Sequence, residues 1–368
     1  MSSVYTRLSA ATQYPGTPTT TAIAALLLLT TSSLLTGCER IQDRMIERRI
    51  EQGLAGDRED LMEDGSLHVI LCGTGSPLAD ADRAAACTAV IAGNNFYLVD
   101  VGPGSQEVVQ LMRLPRARLS GVLLTHFHSD HIGGLGEVTM QSWVAGRDKP
   151  LPVYGGPGVE RIVSGFNLAY NHDRAYRVAH HGDHLMPPEG GRATAHAFEV
   201  NKQPVIIIND GELRVTAFKV EHNPVEPAVG YRFDYGGRSV VISGDTGPSD
   251  ALVEASRGAD LLVHEALAGH LISRMSRLAG ERGLDRIAGL AADILDYHAT
   301  PAQALDAARR AGVPTLVLTH LVPGPPNRLA ERVFMRDTDD TDVEVILGRD
   351  GMHFVLPPDG GLQRGTLE

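Results

Sequence analysis

Three histidines and one aspartate, His126, His128, Asp130 and His131, fall within six consecutive residues. In an extended segment two imidazoles spaced by two lie on one side. The Asp130-His131 pair that follows faces a second position close by. Nitrogen and carboxylate donors in this mixture suit a borderline-soft divalent metal, with Zn²⁺ the default and Mn²⁺ or Fe as other options. Such a cation acidifies water and neutralises charge that develops on a phosphoryl or sulfuryl group. The chemistry this spacing points to is hydrolysis.

Such a cluster needs rigid supports. Val122-Leu-Leu124 is an apolar run closed by Thr125, the pattern of a buried strand, and Gly133-Gly134 follows the motif. His68–Cys72, Thr88–Ile91 and Phe96–Val101 also read as strands, the last two joined by a Gly93-Asn-Asn95 turn. Residues 136–146 and 158–170 read as helices. Residues 171–200, with His172, His180, His181, His184 and His196, read as an irregular solvated loop. Later strands are followed or ended by residues able to do chemistry: His222 after Leu213–Val220, Asp245 after Ser239–Ser243, His264-Glu265 after Leu261–Val263, and His320 after Thr315–Thr319. Tyr297-His298-Ala-Thr300-Pro301 opens a helix, with Thr300 as its cap and Pro301 in its first turn.

The His126-x-His128-x-Asp130-His131 run resembles the signature of the metallo-β-lactamase fold hydrolases. That resemblance extends over residues 67–356 and implies an α/β chain built as a four-layer αββα sandwich. It implies a dinuclear site, with His126, His128 and His222 on one Zn²⁺, Asp130, His131 and His320 on the other, and Asp245 bridging. A metal-bound hydroxide would be the nucleophile. Asp100 would orient a ligand histidine. His264-Glu265-Ala266 and His298-Ala-Thr300 resemble elements of the ribonuclease Z-like branch, where they lie close to the site. Catalytic roles are therefore expected for Asp130, His298, His264 and Glu265. His298 would act on the leaving oxygen.

Three functions compete. The Trp143-x-x-Gly146-Arg147 segment and the end Leu-Thr-His320-Leu-Val-Pro323 resemble arylsulfatase and phosphodiesterase-like members, which implies a small sulfate or phosphate (di)ester as substrate. The alternative is a ribonuclease Z-like endoribonuclease of tRNA 3′ ends. The short span from His222 to Asp245 leaves no room for a tRNA-binding arm, and the usual Ser-Arg-Tyr after the last ligand is replaced by Val322-Pro323-Gly324. The net charge of −12 also opposes a polyanion. Nucleic acid is therefore expected to be an unlikely partner. A non-catalytic lipid-anchored binding protein is the third reading, and the full set of donors argues against it.

The 368 residues, 43% hydrophobic, suit one large globular domain or two small ones. Residues 22–29 are a short apolar core, too short to span a bilayer at about 20 residues. Leu35-Thr-Gly-Cys38 after it resembles a bacterial lipobox. This implies a signal peptide over 1–37, lipidation of Cys38, and a place in the cell envelope on the periplasmic face of a membrane. Residues 38–66 read as a tether, in part an amphipathic helix, and 67–368 as the hydrolase domain. Cys72 and Cys87 are the remaining cysteines, and spacing leaves their pairing open. Oligomeric state is likewise left open.

Overall fold

The structure is a computed structural model that describes residues 42–51, 56–338 and 342–367. The apolar run at 22–29 and Cys38 lie outside the described residues. Residues 42–51 are helical and exposed, and belong to a unit separate from the body. The body begins at Asp57 rather than at Leu67. Its first turn, Glu59–Met62, buries Leu61 and Met62 in the core. No helix among the described residues is long and apolar enough to cross a membrane.

Two mixed sheets form the body. The first is built from β1 (Leu67–Gly73), β2 (Cys87–Ala92), β3 (Asn95–Val99), β4 (Leu119–Leu123), β5 (Leu151–Gly155), β6 (Ala193–Ala197), β14 (Met352–Leu356) and β15 (Gln363–Thr366). Its spatial order is β15-β14-β1-β2-β3-β4-β5-β6. The second holds β7 (Val205–Asp210), β8 (Leu213–Lys219), β9 (Val229–Tyr235), β10 (Arg238–Ile242), β11 (Leu261–Leu267), β12 (Thr315–Val322) and β13 (Glu344–Leu347). Its order is β13-β12-β11-β10-β9-β8-β7. Strands β3 to β6 run parallel to one another, as do β10 to β13. Parallel strands covered on both faces carry apolar side chains in both directions. That is why β11 and β12 are buried along their whole length.

Side chains from the inner faces, among them Val69, Val99, Leu123, Tyr231, Val240 and Val263, form one core between the sheets. The outer face of the first sheet packs on helices through Val109, Leu135, Val138, Val159 and Val163. The outer face of the second packs on Leu252, Ala304, Leu305 and Ala308. The result is the αββα sandwich. Cys72 and Cys87 are joined as a disulfide across β1 and β2.

The segment 171–200 departs from the irregular loop expected of it. Asn171–His181 is a helix, Pro188–Gly191 a tight turn and Ala193–Ala197 strand β6. A helix with mostly polar residues lacks the apolar stripe that betrays helices in sequence. The Trp143 and Arg147 pair is also structural. Trp143 is fully buried, and the Arg147 guanidinium donates to the Thr139 carbonyl oxygen and Ser142 Oγ, tying the Leu135–Val144 helix to the turn after it.

Candidate metal centre

The chemistry-bearing residues gather where strands of both sheets end. β4 leads through Thr125 into His126 and His128, and a short helix, Ser129–Ile132, presents Asp130 and His131. The loop after β8 supplies His222 and the turn after β10 supplies Asp245. His320 lies within β12 near its carboxyl end. Gly244 holds a left-handed φ of +62° so that Asp245 can turn inward. A Cβ on Gly102 would strike the Asp130 carbonyl oxygen, so the floor under the motif admits no side chain there. Asp100 and His320, at φ of 58° and 45°, are non-glycine residues in the same region. Backbone held there at a site costs energy that the surrounding packing must supply.

Asp245 sits at the centre. Its Oδ2 lies 3.3 Å from His131 Nε2, 3.5 Å from His320 Nε2, 3.8 Å from His126 Nε2 and 4.0 Å from His222 Nε2. Asp130 Oδ2 is 3.1 Å from His320 Nε2 and 3.5 Å from His131 Nε2. His128 Nδ1 is 2.9 Å from His126 Nε2. Three overlapping sets of donor atoms each gather within 4.8 Å among the described residues: His126, His128, His222 and Asp245; Asp130, His131 and His320; and Asp245, His298 and His320.

These groups fit a pair of cations. His131 Nε2, His222 Nε2 and Asp245 Oδ1 are buried and make no hydrogen bond. Leaving such atoms unpaired is costly, and each is a ligand atom aimed at the same space. Burial, with neighbouring imidazoles, holds the His126 ring well below its usual pKa, and burial lowers His128 and His222. Burial would raise Asp245, but His320 and His131 hold its carboxyl well below the usual range. Burial likewise opposes ionisation of Asp130, and His320 and His131 keep its carboxyl low. Neutral imidazole and ionised carboxylate are the forms that bind metal, and His126, His128, His222 and the two carboxylates are held in them; at His131, burial opposes the charge but Asp245 and Asp100 carry the pKa well above its usual value. Among the described residues no Lys or Arg pairs with Asp100, Asp130, Asp245 or Glu265.

The supporting contacts set which ring nitrogen faces inward. Asp100 Oδ2 is 2.8 Å from His131 Nδ1, and the same carboxylate accepts from the Thr125 backbone N–H and hydroxyl. His222 Nδ1 donates to the Tyr297 carbonyl at 3.0 Å, leaving Nε2 free. The Thr125 and Tyr297 contacts have no sequence signal, since both partners are remote along the chain.

His298 and Glu265 behave as a pair. Glu265 Oε1 lies 2.9 Å from His298 Nδ1 and also accepts from the Ala299 and Thr246 backbone N–H groups. Burial disfavours the charged imidazole, yet the Glu265 carboxylate beside it carries the His298 pKa up to about 9. His264 takes no such part. It is buried with Nδ1 donating to the Glu265 carbonyl, and it belongs to no donor group among the described residues. Adjacent strand residues point to opposite faces, so Glu265 reaching the site sends His264 away from it. The fold therefore places His264 away from the donor groups, and Glu265 meets them through His298. The His-rich 171–200 segment adds no ligand: none of its histidines joins a donor group among the described residues.

A "Beta-lactamase superfamily domain" matches residues 95–321. Ribonuclease Z of Mycobacterium bovis is 40% identical over 260 residues, covering 70% of this chain and 86% of that protein. Ribonuclease Z of Mycobacterium avium is 39% identical over the same shares. Among solved structures, a metallo-beta-lactamase fold protein from Bacillus subtilis aligns with a TM-score of 0.55 at 21% identity, covering 82% of this chain and all of that one. The short form of human tRNase Z aligns at 0.54 and 22%, covering 79% of this chain and 99% of its own. These two show the fold. The ribonuclease relatives overturn the expectation that nucleic acid is an unlikely partner. That expectation leaned on net charge and on a missing arm, and neither describes the local field at the cleft. The chain belongs to the beta-lactamase superfamily, with ribonuclease Z among its relatives, and is a metal-dependent hydrolase acting on ester bonds.

Proposed function

We propose that the protein is a ribonuclease Z-like phosphodiesterase that cleaves RNA. The observation that carries the reading is the convergence of His126, His128, His222, Asp130, His131 and His320 around Asp245 in a chain 40% identical to ribonuclease Z. We assign His126, His128 and His222 to one divalent ion, Asp130, His131 and His320 to the other, and Asp245 to the space between. Zn²⁺ suits these donors best. Bound there, two cations supply Lewis-acid polarisation of the phosphoryl group and acidify the attacking water.

The chain's own groups do the rest. The Asp130 carboxylate accepts a hydrogen bond from the attacking water and aims it at phosphorus. His298, charged and steadied by Glu265, donates its proton to the oxygen that leaves as the P–O bond breaks. Asp100 holds His131 in one tautomer and one orientation. The two Mycobacterium relatives are ribonucleases and not sulfatases, so the sulfate-ester expectation gives way to the phosphodiester.

We read the protein as exported and anchored through a lipidated Cys38. The Cys72–Cys87 disulfide supports an oxidising compartment. Fractionation of cells expressing Cys38→Ala tests this, and release from the membrane fraction is expected.

Purified metal-loaded protein assayed on a pre-tRNA, an aryl phosphodiester and an aryl sulfate tests the function. Cleavage of both phosphodiesters, lost on chelation, is expected. Turnover of the sulfate alone would overturn the reading.

A further inference from the structure

A cavity of about 570 Å³ opens directly onto the donor cluster, with His128, Asp130, Asp245, His298 and His320 at its inner end. Its opposite wall is apolar. Two helices, Gly269–Glu281 and Asp285–Asp293, fall between β11 and the Pro301–Ala311 helix in the chain and pack on each other. They and the turn after them contribute Met275, Ile287, Leu290 and Ile294, and among the described residues no Lys or Arg lines the cavity. Ala291 and Ile294 turn inward onto Leu267, Ile272 and Val322, which anchors the second helix. Ile287 and Leu290 remain 47% and 57% exposed at the mouth. Water left against such side chains is a standing cost, and an apolar occupant removes it. Tyr297 lines the same space, its ring centroid 4.8 Å from those of both His222 and His298.

We infer that this helical hairpin is the specificity wall of the enzyme. It receives the unpaired nucleobase of the nucleotide that carries the scissile phosphate. The inference rests on the phosphodiesterase reading above. An apolar outer wall facing an anion-handling inner end sorts the substrate into two halves. The phosphate goes to the donors and its flat, weakly polar neighbour goes to the wall. A volume of this size falls in the range of ligand pockets, about 300–1,000 Å³. Single-stranded bases are recognised by stacking on aromatic rings and by apolar contact, and Tyr297 offers the ring.

Three p-nitrophenyl phosphodiesters share a leaving group and differ in the remaining ester: methyl, phenyl and thymidine 5′. The metal-loaded wild type is expected to favour the thymidine ester over the methyl ester in kcat/KM by at least about tenfold. Ile287→Gln/Leu290→Gln keeps helix-forming residues at exposed positions. It is expected to lower that ratio about tenfold with the circular dichroism spectrum intact. Calorimetric titration of thymidine 5′-phosphate should show binding weakened to the same degree. A thymidine-to-methyl ratio near one, or a ratio the double variant does not move, would overturn the wall while leaving phosphodiester hydrolysis standing. A phenyl ester preferred over the thymidine ester would overturn the nucleobase as occupant. No turnover of any of the three would sink the phosphodiesterase reading and the wall with it.

Discussion

The floor of the cleft and its wall are built by opposite means. The floor consists of strand ends from two sheets, with buried donors held by remote hydrogen bonds such as Asp100 to His131 and Tyr297 to His222. The wall is a helical hairpin that packs on itself and leaves Ile287 and Leu290 open to water. The floor cannot shift without moving a sheet, so it suits chemistry that needs fixed charge positions. The wall can change residue by residue without disturbing the sheets, so it suits the choice of substrate.

Asp245→Ala should break the floor outright. Losing even one preorganised stabilising group costs about 10²–10³-fold, so a drop in kcat of about 10³-fold or more is expected, with fewer ions bound per chain. A variant with full metal content and near-wild-type turnover would remove Asp245 from the centre.

Asp100→Asn attacks the floor from one layer out. It keeps the shape and removes the charge that orients His131. Outer partners of ligand histidines are worth about 10–100-fold in metal affinity or activity, and a loss of that size is expected in a competitive chelator titration.

Acid probes the sheets beneath the floor. His353 and His68 lie buried with ring nitrogens 3.0 Å apart on β14 and β1. Burial first, then the neighbouring His68, push the His353 pKa down to about 4. Its folded value lies below its unfolded value of about 6.5, so the unfolded chain takes up the proton first. The stability from the neutral ring is full above about pH 6.5 and is lost as pH falls toward about 4, a loss of roughly 3 kcal/mol. Urea unfolding at several pH values should show this slope, and His353→Gln should flatten it. An unchanged slope in the variant assigns the acid sensitivity elsewhere.

The smallest effect sharpens the comparison. Ile287→Gln on the wall should leave unfolding free energy within about 0.5 kcal/mol. Leu123→Ala, fully buried between the sheets, should cost about 2–5 kcal/mol. Equal costs at the two positions would mean that the hairpin is part of the core.

Much of the centre is readable in the chain. The ligand motif is contiguous, and His222, Asp245 and His320 each follow or end an apolar run whose burial forces the next polar residue to a sheet end. The capping of the Pro301–Ala311 helix by Thr300 is equally local, and a full capping box with Gln303 forms there. Strand parity is another matter: only the folded sheet decides that Glu265 and not His264 faces the cleft, because a one-residue difference in register exchanges the two faces. The helix at Asn171–His181 hid for want of an apolar stripe, and the Cys72–Cys87 bond required β1 beside β2. The apolar wall is likewise a product of assembly. Leu78, which also lines the cavity, is far along the polymer from Leu290 and Tyr297, and nothing but packing brings their uncharged surfaces around one space beside the carboxylates.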